Sequence, residues 1–129
     1  MTPDLTFLVY SAILAFVQVA IAATGCSLQV GLATLAGNRE EAPSQFEGWV
    51  GRAVRAHQNM LESLVLFAIV VLVAQIAGKA NEMTAIGAQL FFYSRLAYAV
   101  IYIIGVPWLR TLVWALSIVG LALITLQLL

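Results

Sequence analysis

The sequence predicts an all-α membrane protein, a four-transmembrane-helix up-down bundle, on three observations. Of 129 residues, 63% are hydrophobic and only 9% are charged, against about 45–50% and about 25% in soluble domains. Four apolar stretches reach the roughly 20 residues that a helix needs to cross a hydrocarbon core of about 30 Å. The turns between the last three are short, and short turns join antiparallel neighbours. A water-soluble core of this length could not hide so much apolar surface, so lipid must cover it.

The first stretch, 5–35, is expected as one helix long enough to tilt or to pass beyond the bilayer. It is expected to be a span and not a signal peptide: Asp4 is the only charge before it, no basic region precedes it, and it is far longer than a signal h-region. Cys26 is the single cysteine, which excludes an intrachain disulfide. Beside Gly25 and Ser27 it reads as a small residue in a helix–helix contact. A polar segment, 37–58, follows. Apolar character resumes at 60–77, but the run from Trp49, WVGRAVRAHQNMLESLVLF, favours helix throughout. The second helix is therefore expected over 48–77, beginning in the cytoplasm and running into the membrane. Gly78 to Glu82 form a turn, 84–104 the third helix, Gly105-Val106-Pro107 a tight break, and 109–129 the fourth. One domain, 1–129, contains them all. Arg39, Arg52, Arg55 and Arg110 lie near one set of membrane ends and only Lys79 near the other. The excess of Lys/Arg in cytoplasmic loops then puts the long loop and the third turn in the cytoplasm.

Two polar stripes interrupt the apolar helices. Arg52, Arg55, Asn59 and Glu62 are spaced by three, four and three, one face of a helix. Arg95, Tyr98 and Tyr102, spaced by three and four, form another in an otherwise apolar run. Arg95 lies about eleven residues from its helix end, near mid-membrane at 1.5 Å per residue. An arginine there costs at least about 2.5–3.5 kcal/mol and must face the bundle interior or a wet cavity. Glu62 is its expected partner in a buried ion pair. Such a pair can be purely architectural, and Tyr102 can be an aromatic-belt residue. Donors nevertheless exceed what Glu62 can absorb, which suits an anionic, hydrogen-bonding ligand, and Arg110 adds a cation at the same end.

Other residues carry less. His57 lies off the stripe and reads as facing the headgroups. No second His or Cys stands at ligand spacing, so no metal site is expected. No Gly-rich phosphate loop is present, and balanced charge gives no electrostatic case for nucleic acid. Trp108 and Trp114 read as interfacial anchors. Inverted repeats and broken helices, the marks of a small transporter, are lacking.

The string RAVRAHQNMLE, Arg52 to Glu62, resembles the second-helix signature of the MAPEG family, the membrane-associated proteins in eicosanoid and glutathione metabolism. RLAYAVIY, Arg95 to Tyr102, and then Gly105, Pro107 and Arg110 continue the likeness over the whole chain. The resemblance implies a homotrimer with glutathione bound between protomers near the cytoplasmic face, in a membrane transferase or peroxidase using lipophilic substrates. One branch of the family is a non-catalytic lipid-binding protein, which is the alternative. By motif, Arg55, Asn59 and Glu62, with Arg52 in the same stripe, correspond to second-helix residues holding glutathione. Arg95, Tyr98 and Tyr102 line the same site, and Arg110 matches the arginine that stabilises the glutathione thiolate. Arg39 stands near the first-helix arginine that reaches a neighbour's ligand. The turn before Arg110 differs in length from the better-known synthases, Trp114 falls where some members have tyrosine, and His57 replaces a glutamine seen in one.

Overall fold

The computed structural model of the protein describes residues 1–37 and 46–129. Five α-helices and no strand occur among the described residues: α1 (Pro3–Val30), α2 (Leu32–Ala36), α3 (Gly48–Ile76), α4 (Glu82–Ile104) and α5 (Pro107–Leu128). Helices α1, α3, α4 and α5 are each long and apolar enough to cross a membrane, as the composition requires. Arg39 lies outside the described residues.

The first apolar stretch departs from its expected form. It is not one helix to residue 35, because Gly31 breaks it with φ 88 and ψ 147, a backbone region open essentially to glycine alone. Its N–H still donates to the Ser27 carbonyl at 2.9 Å, and the chain restarts as the single short α2.

Side chains tie the helix ends together at both faces of the bundle. At the end where α3 begins, Gln29 Nε2 donates to the Glu47 carbonyl at 2.9 Å and Arg52 Nε to the Ile103 carbonyl at 2.8 Å. We call this the basic end, since Arg52, Arg55 and Arg110 gather there. At the far end an Asn81–Thr84 capping box starts α4, satisfying N–H groups that have no partner in the first turn. Asn81 Nδ2 also donates to Gln127 Oε1 at 2.8 Å, and Lys79 Nζ to the Leu128 carbonyl at 3.0 Å. Successive long helices therefore run antiparallel.

Helices α3 and α4 form the middle of the bundle. Helix α1 packs on both, α5 packs mainly on α4, and the backbones of α1 and α5 do not approach each other. Met60 and Phe67 from α3 meet Phe91 from α4 and Ile124 from α5 in a core without solvent contact, and the Phe67 and Phe91 rings stack with centroids 4.0 Å apart. Helix α1 adds a polar line that the sequence reading overlooked: Asp4, Ser11 and Gln18, seven residues apart, all face inward.

Glycines set the α4–α5 contact. A Cβ on Gly87 would lie 2.7 Å from the Gly120 carbonyl oxygen, and one on Gly120 would lie 2.7 Å from that of Gly87. Lipid tails are as apolar as leucine, so membrane helices associate through such close backbone packing and through hydrogen bonds. Gly to Ala inside a helix ordinarily stabilises by roughly 0.5–1 kcal/mol. At Gly120 the new methyl meets backbone atoms that cannot swing away, and overpacking costs about 1–3 kcal/mol. Gly120→Ala should therefore lower the thermal unfolding midpoint in detergent; a raised midpoint would show that the two helices are free to part.

Candidate functional site

The inward face of α4 carries the third-helix stripe. Arg95 and Tyr98 are buried, at 1% and 5% exposure, and Tyr102 is half-buried. The Arg95 guanidinium lies 4.2 Å from the Tyr98 ring centroid. Tyr98 and Tyr102 rings lie 5.4 Å apart, and the Arg110 guanidinium lies 4.5 Å from the Tyr102 centroid. Cation, ring, ring and cation thus form a ladder from mid-bundle to the basic end. Its spacing follows from the three- and four-residue steps on α4 and from the Gly105–Pro107 turn that brings α5 alongside.

The second-helix stripe faces obliquely. Arg52 and Asn59 are half-buried at the edge of the packed face, whereas Arg55 and Glu62 are exposed. Glu62 therefore does not meet Arg95, and the expected buried pair is absent. Arg95 sits at the centre of the inward face of α4, while Glu62 lies on the outward side of α3. None of the three Arg95 side-chain nitrogens has a hydrogen-bond partner among the described residues. A cation over an aromatic face gains about 2 kcal/mol when desolvated, less than the insertion cost of an arginine. The ladder alone does not balance that charge.

A cavity of about 170 Å³ opens between α3, α4 and α5, lined by Asn59, Tyr98, Arg110, Thr111 and Trp114. Three residues named from the sequence meet there. Arg95 lies beneath Tyr98 and does not line it, and Tyr102 touches it only through its contacts with Tyr98 and Arg110. The Asn59 Oδ1 atom is buried without a hydrogen-bond partner. An orphaned amide oxygen with an arginine on the same wall suits a ligand bearing both N–H donors and negative charge. Glutathione, the ligand that the family resemblance implies, has both.

Two lining residues went unrecognised in the sequence. Trp114 was read as a membrane anchor like Trp108, which is 88% exposed. Its position four residues after Arg110 puts it on the same helix face, and that spacing was the available signal. Thr111 had none beyond adjacency. His57, read as facing the headgroups, is half-buried, and its Nδ1 is sealed from solvent without a partner. No cluster of three metal-ligating side chains exists among the described residues.

These features define an integral membrane protein with a cationic, aromatic-lined site at one end of a four-helix bundle. The chain belongs to the MAPEG family, whose model matches residues 5–129, a family of membrane proteins of glutathione and eicosanoid metabolism. Comparison with characterised proteins and with solved structures gave no match.

An arginine without a partner inside the bundle destabilises the fold it sits in. Replacing buried charge by an apolar side chain of similar volume is neutral or stabilising by about 1–4 kcal/mol. Arg95→Met should hold or raise the unfolding midpoint of the ligand-free protein, measured by thermal unfolding in detergent. A marked drop would mean that Arg95 has a counter-charge within the protein.

Proposed function

We propose that the protein is a glutathione-dependent membrane transferase or peroxidase acting on lipophilic electrophiles or lipid hydroperoxides. The observation that carries this reading is the cavity wall shared by Arg110, Tyr98 and Asn59, whose amide oxygen is unpaired. Glutathione, when bound, supplies a thiol whose ordinary pKa is near 8.5. Arg110 favours negative charge at the sulfur position and so raises the reactive fraction at neutral pH. By the family resemblance, Arg55 and Arg95 are the candidates for the two carboxylates, Glu62 for the ammonium group, and Asn59 for the peptide amides; Arg95 lies behind Tyr98, so its contact requires that ring to move aside. Arg52 belongs to the same stripe.

One chain does not build the whole site. A cavity of about 170 Å³ falls short of the roughly 300 Å³ at which ligand pockets begin. Arg55 and Glu62 are exposed on a helix whose outward neighbours Leu61, Val65 and Leu66 are also exposed. Charge on a lipid-facing side is costly. A second copy covering that face would both shield the charges and close the site, in keeping with a homotrimer. The basic end faces the cytoplasm on this reading, by its excess of arginine.

The non-catalytic reading draws on a separate apolar groove of about 330 Å³ lined by Phe16, Val17, Ala20, Ile21, Thr24 and Trp49. Activity separates the two. Purified protein in lipid is titrated with glutathione while thiolate absorbance is followed; a generic electrophile and a lipid hydroperoxide are then added. Binding, a thiolate signal and turnover support the enzyme; glutathione binding without turnover of either substrate supports the alternative; no glutathione binding removes both cofactor and reaction. Hydrogen bonds to charged groups contribute about 1.5–3 kcal/mol, so Arg55→Ala or Glu62→Ala should weaken glutathione binding roughly 10- to 100-fold. Arg110→Ala should keep binding and lose the thiolate absorbance; an unchanged signal would exclude Arg110 from that role.

A further inference from the structure

Arg52 lies in the glutathione stripe by sequence, yet its strongest contact is with the protein itself. Its Nε donates to the carbonyl of Ile103 at 2.8 Å, across 51 residues of chain. The last carbonyls of a helix have no partner within it, and a cation there also meets the negative end of the helix dipole. Helix α4 has no basic residue in its own last turn, so α3 supplies one. The Arg52 side chain passes directly under Gly105: a Cβ added there would lie 3.4 Å from Arg52 Nε and 3.6 Å from its Cδ and Cζ. Gly105 is left-handed, with φ 94, and side chains rarely adopt that conformation.

From this point a short chain of bonds leads to Arg110. The N–H groups of Gly105 and Val106 both donate to the Ile101 carbonyl, at 2.9 and 3.3 Å, and the Val106 carbonyl accepts from the Arg110 N–H at 3.2 Å. Pro107 opens α5 with its φ already fixed. Arg110 thus emerges at a place set by the turn, over the Tyr102 ring and on the cavity wall. An arginine side chain reaching the cavity can sweep a wide volume; a fixed turn narrows that range.

We propose that Arg52 is a positioning residue, a strut from α3 that fixes the α4–α5 turn and through it the placement of Arg110, and not a ligand of glutathione. The proposal rests on the reading that Arg110 stabilises the thiolate, and its test separates the two. Full-length wild type, Arg52→Gln, Arg52→Lys and Gly105→Ala are compared in lipid. Amide hydrogen exchange without glutathione reads the strut alone. In Arg52→Gln, exchange at Gly105, Val106 and Arg110 should speed up about tenfold, with Phe67 to Val71 in mid-α3 unchanged.

Glutathione affinity should stay within about threefold, while the midpoint pH of thiolate formation rises by about one unit, tenfold in the ionisation constant. Arg52→Lys, which keeps a donor, should recover part of that shift. Gly105→Ala, which displaces the turn and leaves Arg52 intact, should reproduce it. Two results would overturn the proposal: unchanged exchange in the turn, or a tenfold loss of affinity with the thiolate midpoint unmoved. If Arg52→Gln does not fold, Arg52→Lys and Gly105→Ala decide by the same two measurements. If wild type binds no glutathione, the proposed function fails, and hydrogen exchange alone upholds or overturns the strut.

Discussion

A guanidinium enclosed at the middle of an apolar bundle constrains everything around it. Arg95 has aromatic contact on one side and no hydrogen-bond partner among the described residues. That contact offsets only part of the cost of carrying a cation into the hydrocarbon region. The rings of Tyr98 and Tyr102 lead from Arg95 to a second cation, Arg110, at the basic end, which adds positive charge and does not balance it. A feature that destabilises the fold and is linked to a cavity belongs to function more readily than to architecture.

The two central helices present their polar stripes differently, and the difference shapes the site. On α4 the stripe coincides with the buried face, so its residues stack inside one chain. On α3 it straddles the edge of the buried face, so Asn59 turns to the cavity while Arg55 and Glu62 look outward. One stripe can thus serve two surfaces. The proposed trimer would use the outward half, and the single-chain cavity already uses the inward half.

The turn between α4 and α5 links these surfaces to the chemistry proposed for them. Gly105 supplies the left-handed residue, Pro107 the fixed start of α5, and Arg52 the donor for the Ile103 carbonyl. At the far end Lys79 and Asn81 hold the last turn of α5, and the Gly87–Gly120 approach locks α5 along α4 in between. Helix α5 is therefore anchored at three levels, which suits a helix that places a functional cation.

Composition and periodicity were enough to read four spans, the start of α3 at Gly48, the Gly105–Pro107 break and the two polar stripes. These are local properties: hydrophobic length sets a span, and three- and four-residue spacing sets a face. The interruption at Gly31 was not legible, because glycine permits a left-handed residue without requiring one. Nor was the missing Arg95–Glu62 pair. Spacing shows that residues share a helix face, but the rotation of each helix about its own axis depends on side chains packed from other helices. Met60, Phe67 and Phe91 turn α3 and α4 so that Arg95 points inward and Glu62 outward. The same packing brings Arg52 to the end of α4, a placement that no stretch of sequence carries alone.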